Sequence, residues 1–310
     1  MKYTLLLLPA FLFAFVAVDN EGNHRITGVI QTIYNYNINS KENNFSPGKI
    51  AFGFDGKINS CFGYRMLVSL NPSSFTFSAF DLYGKIFTPL GEVRIGQFKV
   101  PFAMERLIPF PMRDFVKNSL VTGMVQSRDF GIALYGKKNK LVEYNFAIIN
   151  GEGLNKSEAN KAKDIVSRIV FKVSDKVRFG GAVYIGKTGP DSSLAKKERY
   201  NLQFELKNKW GTLRSEGVKF FNGDQEGSVF YISGGYSIKM EELLQYIEPV
   251  VRFEYYDPDN SVEGNELKRY ILGINLYFHG YNMRIQLDYL RDVQQGKKQD
   301  FLLCGTQFMF

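Results

Sequence analysis

The chain has 310 residues and a formal net charge of +8, from 39 Lys+Arg against 31 Asp+Glu, with two cysteines and two histidines. No Pro/Ser-rich linker or low-complexity stretch divides it, so one domain is expected, and two cysteines far apart in sequence build no disulfide framework. Two histidines, His24 and His279, leave little from which to assemble a Ser-His-acid set, and no Cys/His group has metal-ligand spacing; no catalytic residue, metal or cofactor is assigned. The slightly negative mean hydropathy does not exclude a membrane protein, because a transmembrane barrel hides its apolar surface in alternate positions. The aromatic content, 28 Phe and 18 Tyr, favours strands.

In chain order, Met1 and Lys2 precede an apolar run from Leu5 to Val18 with small residues at Ala14 and Ala17. This reads as a secretory signal peptide, residues 1–17, ahead of a mature domain, 18–310. The run is shorter than the roughly 20 apolar residues of a membrane-spanning helix. Export makes nucleic acid the poorest partner for the positive charge and leaves anionic lipid or small anions.

Beyond that segment no helical periodicity is sustained, and period-two runs recur to the end. Strands are expected at 26–37, 49–57, 61–70, 75–86, 91–99, 127–137, 141–150, 164–173, 176–187, 198–207, 211–221, 228–238, 246–256, 267–278, 281–291 and 300–310. The last ends on Phe310, with Leu302, Cys304, Thr306 and Phe308 on the same face. Sixteen is an even number, as bacterial barrels require.

The connections alternate in length. Short turns are expected at 58–60, 88–91, 138–140, 174–175, 208–210, 239–245 and 279–280. Longer ones are expected at 38–48, 100–126, 151–163, 188–197, 222–227, 257–266 and 292–299, with 71–74 the short exception. An all-β, up-and-down antiparallel transmembrane barrel explains this, with tight turns on the periplasmic rim and loops on the external one. A soluble sandwich gives no reason for it. The longest connection is the third external one, and its segment from Pro101 to Phe115 is too apolar to stand in water. It is expected to fold into the lumen and narrow it, against the alternative of an Ω-loop or intersubunit contact.

Phasing the strands by their bulky residues puts Tyr270, Leu272, Ile274 and Leu276 outside, as it does Met283, Ile285 and Leu287, and Val251 and Phe253. Arg65, Arg168, Lys172, Arg178, Arg199, Lys207, Arg252, Arg269 and Arg284 then face inward. Lone arginines on the lipid face cost roughly 2–4 kcal/mol at mid-membrane, so the charged face lines a wet channel. Inward acids at Asp81, Glu143, Glu205, Glu254 and Asp288 compensate part of the charge. The excess of bases, with Arg106, Arg113 and Lys117 in the third loop, favours anions. The candidate pore-lining, anion-binding set is Arg65, Lys99, Arg106, Arg113, Lys117, Arg168, Lys172, Arg178, Arg252, Arg269 and Arg284. The bulky inward residues Tyr135, Tyr184 and Tyr277 keep open a plugged structural or adhesive barrel.

Two groups of segments carry a family resemblance. The first is RIGQFKVPFAME at 94–105, RDFGIALYG at 128–136 and NGEG at 150–153. The second is IEPVVRFE at 247–254, LGINLY at 272–277 and RIQLDY at 284–289. In order and spacing they resemble the phosphate-selective porin O and P family across the mature chain. That resemblance implies a sixteen-stranded homotrimeric channel of the bacterial outer membrane, surrounded by its lipid, whose basic side chains draw phosphate or related anions through a narrow waist. It carries over Lys99, Pro101, Phe102 and Glu105 at the root of the third loop and Arg128-Asp129 at its exit.

Overall fold

The computed structural model describes residues 16–17, 24–71 and 74–310. Sixteen strands form the wall: β1 His24–Asn37, β2 Asn43–Lys57, β3 Phe62–Asn71, β4 Thr76–Thr88, β5 Gly91–Lys99, β6 Arg128–Lys138, β7 Val142–Ile149 and β8 Asp164–Lys172 in the first half. The second half is β9 Val177–Thr188, β10 Ala195–Asn208, β11 Gly211–Asn222, β12 Gln225–Tyr236, β13 Tyr246–Asp257, β14 Leu267–His279, β15 Met283–Gln294 and β16 Lys297–Met309. Each pairs antiparallel with the next, and β16 returns to β1 with Leu303 opposite Asn35, so the sheet closes without an edge. The expected signal peptide lies outside the described residues except for Val16–Ala17, which pair with Arg25 and Ile26.

Period-two alternation produces the two faces. On β10, Leu202 points outward and is 76 % exposed, whereas its neighbours Asn201 and Gln203 are buried in the interior. Leu272, Ile132, Val251 and Phe308 extend the outer apolar surface, and Glu254, Asn275 and Asp288 are buried inside, as the phasing predicts. No described helix is long and apolar enough to cross a membrane.

The rims differ from expectation in detail. The longest connections, 100–127 and 150–163, do join strand ends on the side opposite the termini. Two expected external loops, 222–227 and 292–299, are instead two-residue turns, with Asn222 paired to Gln225 and Gln294 to Lys297. Gln295 and Gly296 both have positive φ, the geometry of a tight hairpin whose twist matches its strands. The Gly223-Asp224 and Gln295-Gly296 dipeptides were the legible signal for both turns. The first loop is also shorter than 38–48, because β2 begins at Asn43, and the 237–245 turn is long for its rim, carrying a two-residue strand, Ile238–Lys239. The expected short exception at 71–74 falls partly on residues 72–73, which lie outside the described residues.

What positions the site is the early departure of β5. It pairs with β4 only from Gly91 to Gln97, against residues 82–88, so the outer half of β4 has no β5 beside it. Gln97 Nε2 donates to the freed carbonyls of Ala79 and Phe80 at 2.7 and 3.0 Å. The chain then turns inward, burying Val100, Phe102 and Ala103 completely.

Candidate functional site

Residues 100–127 lie inside the barrel. The segment contains one helical turn, α1 (Met104–Leu107), and two 3-10 turns, Phe110–Met112 and Leu120–Gly123. A loop enclosed by a wall must find partners for its main-chain groups, and inward side chains of β10 to β16 supply them. Phe102 packs edge-on against Tyr184 with ring centroids 6.3 Å apart. Glu216 on β11 accepts the N–H of Met104 at 2.5 Å and of Glu105 at 3.3 Å. Asp114 pairs with Arg214, and its carbonyl accepts from Asn275 at 2.9 Å and Gln286 at 3.0 Å. Asp288 accepts Val116 N–H at 2.8 Å, Glu254 accepts Leu120 N–H at 2.5 Å, and Arg199 Nε donates to Met124 O at 3.0 Å.

The other side of the loop presents positive charge. Lys99 Nζ donates to the carbonyls of Leu107 and Ile108 at 3.3 and 3.4 Å. Arg106 donates to Thr122 O, and Arg113 to Asn118 Oδ1 and to the carbonyls of Arg106 and Ile108. These partners orient the side chains, and none of them is a carboxylate. Burial, followed by the charge of Arg113, pushes the Arg106 guanidinium down to about 10, so it stays protonated at neutral pH. Arg113 is also lowered, by burial and by Arg128 and Arg252, although Glu105 opposes this. Across from the loop, Arg128 and Arg65 share Asp81 at 2.7 and 2.9 Å, and Lys49 lies over the Phe80 ring. Two cavities, about 850 and about 250 Å³, meet at Arg94 and Lys99 on this side.

The structure thus groups Lys99, Arg106 and Arg113 at the loop, with Arg65 nearby on the wall. Arg168 faces the larger cavity and donates to Asn145 at 3.4 Å and Gln203 at 2.9 Å. Lys172 pairs with Glu143 at 2.7 Å, Arg178 lies 3.7 Å from Glu205, and Arg269 makes a two-pronged contact with Asp292 at 2.7 and 2.8 Å. Arg252 and Arg284 are buried, 2 and 1 % exposed, away from the open side. Arg252 is held by Glu254 at 2.8 Å and donates to Lys117 O. Lys117 lies over the Phe301 ring at 4.8 Å.

Three participants escaped the sequence reading. Glu216 had a legible signal, since its cross-strand neighbours Gln203 and Tyr231 offer no base, so an inward carboxylate there needs another partner. Lys49 fell at the first position of the strand expected at 49–57 and was assigned to neither face. Arg128 was noted only as part of a motif, and its pairing with Asp81 bridges strands that are not consecutive. The motif segments also gain a physical meaning. Asp129 accepts the N–H groups of Gly151 at 2.9 Å and Gly153 at 3.2 Å, both with positive φ, tying β6 to the loop after β7.

No family model matches the chain, and no curated protein matches it. Solved structures do. OmpF of Salmonella typhi, in complex with daunomycin, has a TM-score of 0.73 at 11 % identity over 94 % of this chain and 99 % of that one. The fold is that of the outer-membrane porins. An anion-selective porin from Comamonas acidovorans aligns with a TM-score of 0.65 at 12 % identity, covering 93 % of this chain and 99 % of its own. OmpT, an outer-membrane protein of Vibrio cholerae, aligns at 0.66 and 11 % identity over 96 and 100 %. A closed barrel of this size with an apolar outside and a polar inside is built for the bacterial outer membrane.

Proposed function

We propose that the chain is a passive diffusion channel for small anions, phosphate among them, acting without catalysis or cofactor. One observation carries this reading: Arg106 and Arg113, on the third loop, end on carbonyl and carboxamide oxygens and not on carboxylates, which leaves their positive charge to the passage. Low-dielectric walls concentrate such a field and raise the local concentration of anions. The guanidinium forks of Arg106 and Arg113 match tetrahedral oxyanions, which accept several charge-assisted hydrogen bonds, whereas chloride uses the charge alone. The resemblance to the phosphate-selective porins points the same way. On this reading residues 1–17 are removed on export and residues 18–310 assemble as a homotrimer in outer-membrane lipid.

The alternative is a general anion-preferring porin. It is favoured by the pairing of Arg65, Lys172 and Arg269 with Asp81, Glu143 and Asp292, which interrupts any continuous ladder of free bases. Phosphate titrated into a chloride bath during planar-bilayer recording separates the two. Phosphate selectivity predicts a concentration-dependent drop in chloride current that Arg106→Gln with Arg113→Gln relieves. A chloride current unaffected by phosphate leaves the general anion porin. A channel with no measurable conductance would return the plugged barrel.

A further inference from the structure

We infer that the larger lumenal cavity is a subsite for small organic acids, a carboxylate carried on a compact apolar body. This rests on the anion-channel reading and names a substrate class within it. The cavity, about 850 Å³, lies between the underside of the third loop and the wall, on the side of the 89–90 turn. Two chemistries meet in it.

The first is uncompensated positive charge. Among the bases that line it, Arg94 is matched by Glu92 at 2.6 Å, Lys137 faces Glu143 at 3.5 Å and Arg178 faces Glu205 at 3.7 Å. Lys99 and Arg168 have no such partner in the described contacts: Lys99 meets two carbonyls, and Arg168 meets the carboxamide oxygens of Asn145 and Gln203. An anion entering the cavity meets the Arg168 guanidinium and the Lys99 amine with no carboxylate already bound to either.

The second is an apolar ceiling. Met104, Leu107 and Ile108, on and just after α1, line the same space. A hydrated inorganic anion gains from the cations and nothing from this surface. An organic acid gains from both, since its apolar body leaves water against the loop while the carboxylate reaches Lys99 or Arg168. The loop positions both parts at once, because Lys99 donates to the carbonyls of Leu107 and Ile108.

The test compares potassium benzoate with potassium acetate as inhibitors of chloride current through the full-length channel in a planar bilayer. Benzoate should reach half-inhibition at an about tenfold lower concentration than acetate, the factor supplied by burying roughly 60 Å² of apolar surface. Arg168→Gln should weaken both inhibitors. Leu107→Ser should abolish the difference between them, and Leu107→Met should keep it, separating loss of apolar contact from disturbance of the loop. Equal inhibition by the two acids, or a benzoate advantage that survives Leu107→Ser, overturns the subsite. The reversal potential in the same recordings keeps the two readings apart. If the channel prefers anions but does not distinguish the acids, only the subsite fails; if it does not prefer anions, the anion-channel reading fails with it.

Discussion

Asp288 Oδ2, on β15, accepts the main-chain N–H of Val116 at 2.8 Å, fastening the middle of the third loop to the wall remote from its root on β5 and β6. Glu216 and Glu254 hold the segments to either side in the same way. Carboxyl groups suit the task, because their oxygens accept main-chain N–H groups that would otherwise be enclosed without partners. Acids are thereby spent on one side of the loop while Arg106 and Arg113 remain on the other, so the anchoring of the loop and the charge of the passage have a common origin.

Asp288→Ala removes one anchor and leaves the Val116 N–H without its acceptor, a loss of about 1–3 kcal/mol. The expected result is a more mobile loop, read as increased open-channel current noise with the barrel still folded. Noise equal to that of the parent protein would show that Glu216 and Glu254 suffice.

Deleting residues 107–121 should raise single-channel conductance and weaken ion preference, because both the obstruction and Arg113 go with it. The remaining ends are still held by adjacent strands, Met104 by Glu216 on β11 and Met124 by Arg199 on β10. Unchanged conductance would mean that the narrowest passage lies elsewhere.

The barrel was legible because its signals are repetitive. Alternation in β10, β13, β14 and β15 separates Leu202, Val251, Leu272 and Leu287 from Gln203, Arg252, Gly273 and Asp288 without reference to any distant residue. The apolar third loop was legible for a related reason, since Phe102 and Phe115 need cover. The site was less so. Inward direction marked Arg252 and Arg284 as readily as Arg168, but only the loop's path decides which are covered and which face open space. That path depends on Glu216, Glu254 and Asp288, whose contacts with Met104, Leu120 and Val116 span more than a hundred residues and leave no local pattern.

Acidification should strengthen anion preference. Burial raises the Asp114 carboxyl above its usual range, although Arg214 opposes the shift, so Asp114 takes up its proton at higher pH than an ordinary aspartate. As pH falls, a negative charge beside the loop disappears and Arg214 loses part of its compensation. The sign for folding differs: a carboxyl with a raised native pKa binds its proton more tightly in the folded state, so this group does not itself destabilise the fold in acid. Reversal potentials at pH 7 and pH 5 should move toward chloride, and Asp114→Asn should reduce that movement. An identical pH response in the variant would assign it to other groups.

Leu202→Arg tests the outer face. A guanidinium on the lipid side of mid-barrel costs roughly 2–4 kcal/mol, whereas Lys207→Gln, on the inward face of the same strand, carries no such penalty. Refolding yield into phospholipid vesicles should fall for the first and hold for the second. Equal yields would contradict the assignment of faces.

The reversal potential in a potassium chloride gradient tests the central claim most directly, because it reads the sign of the charge that governs the passage. The parent channel should reverse on the chloride side of zero, and Arg106→Gln with Arg113→Gln should bring it closer to zero. Reversal on the potassium side in the parent channel would contradict the account.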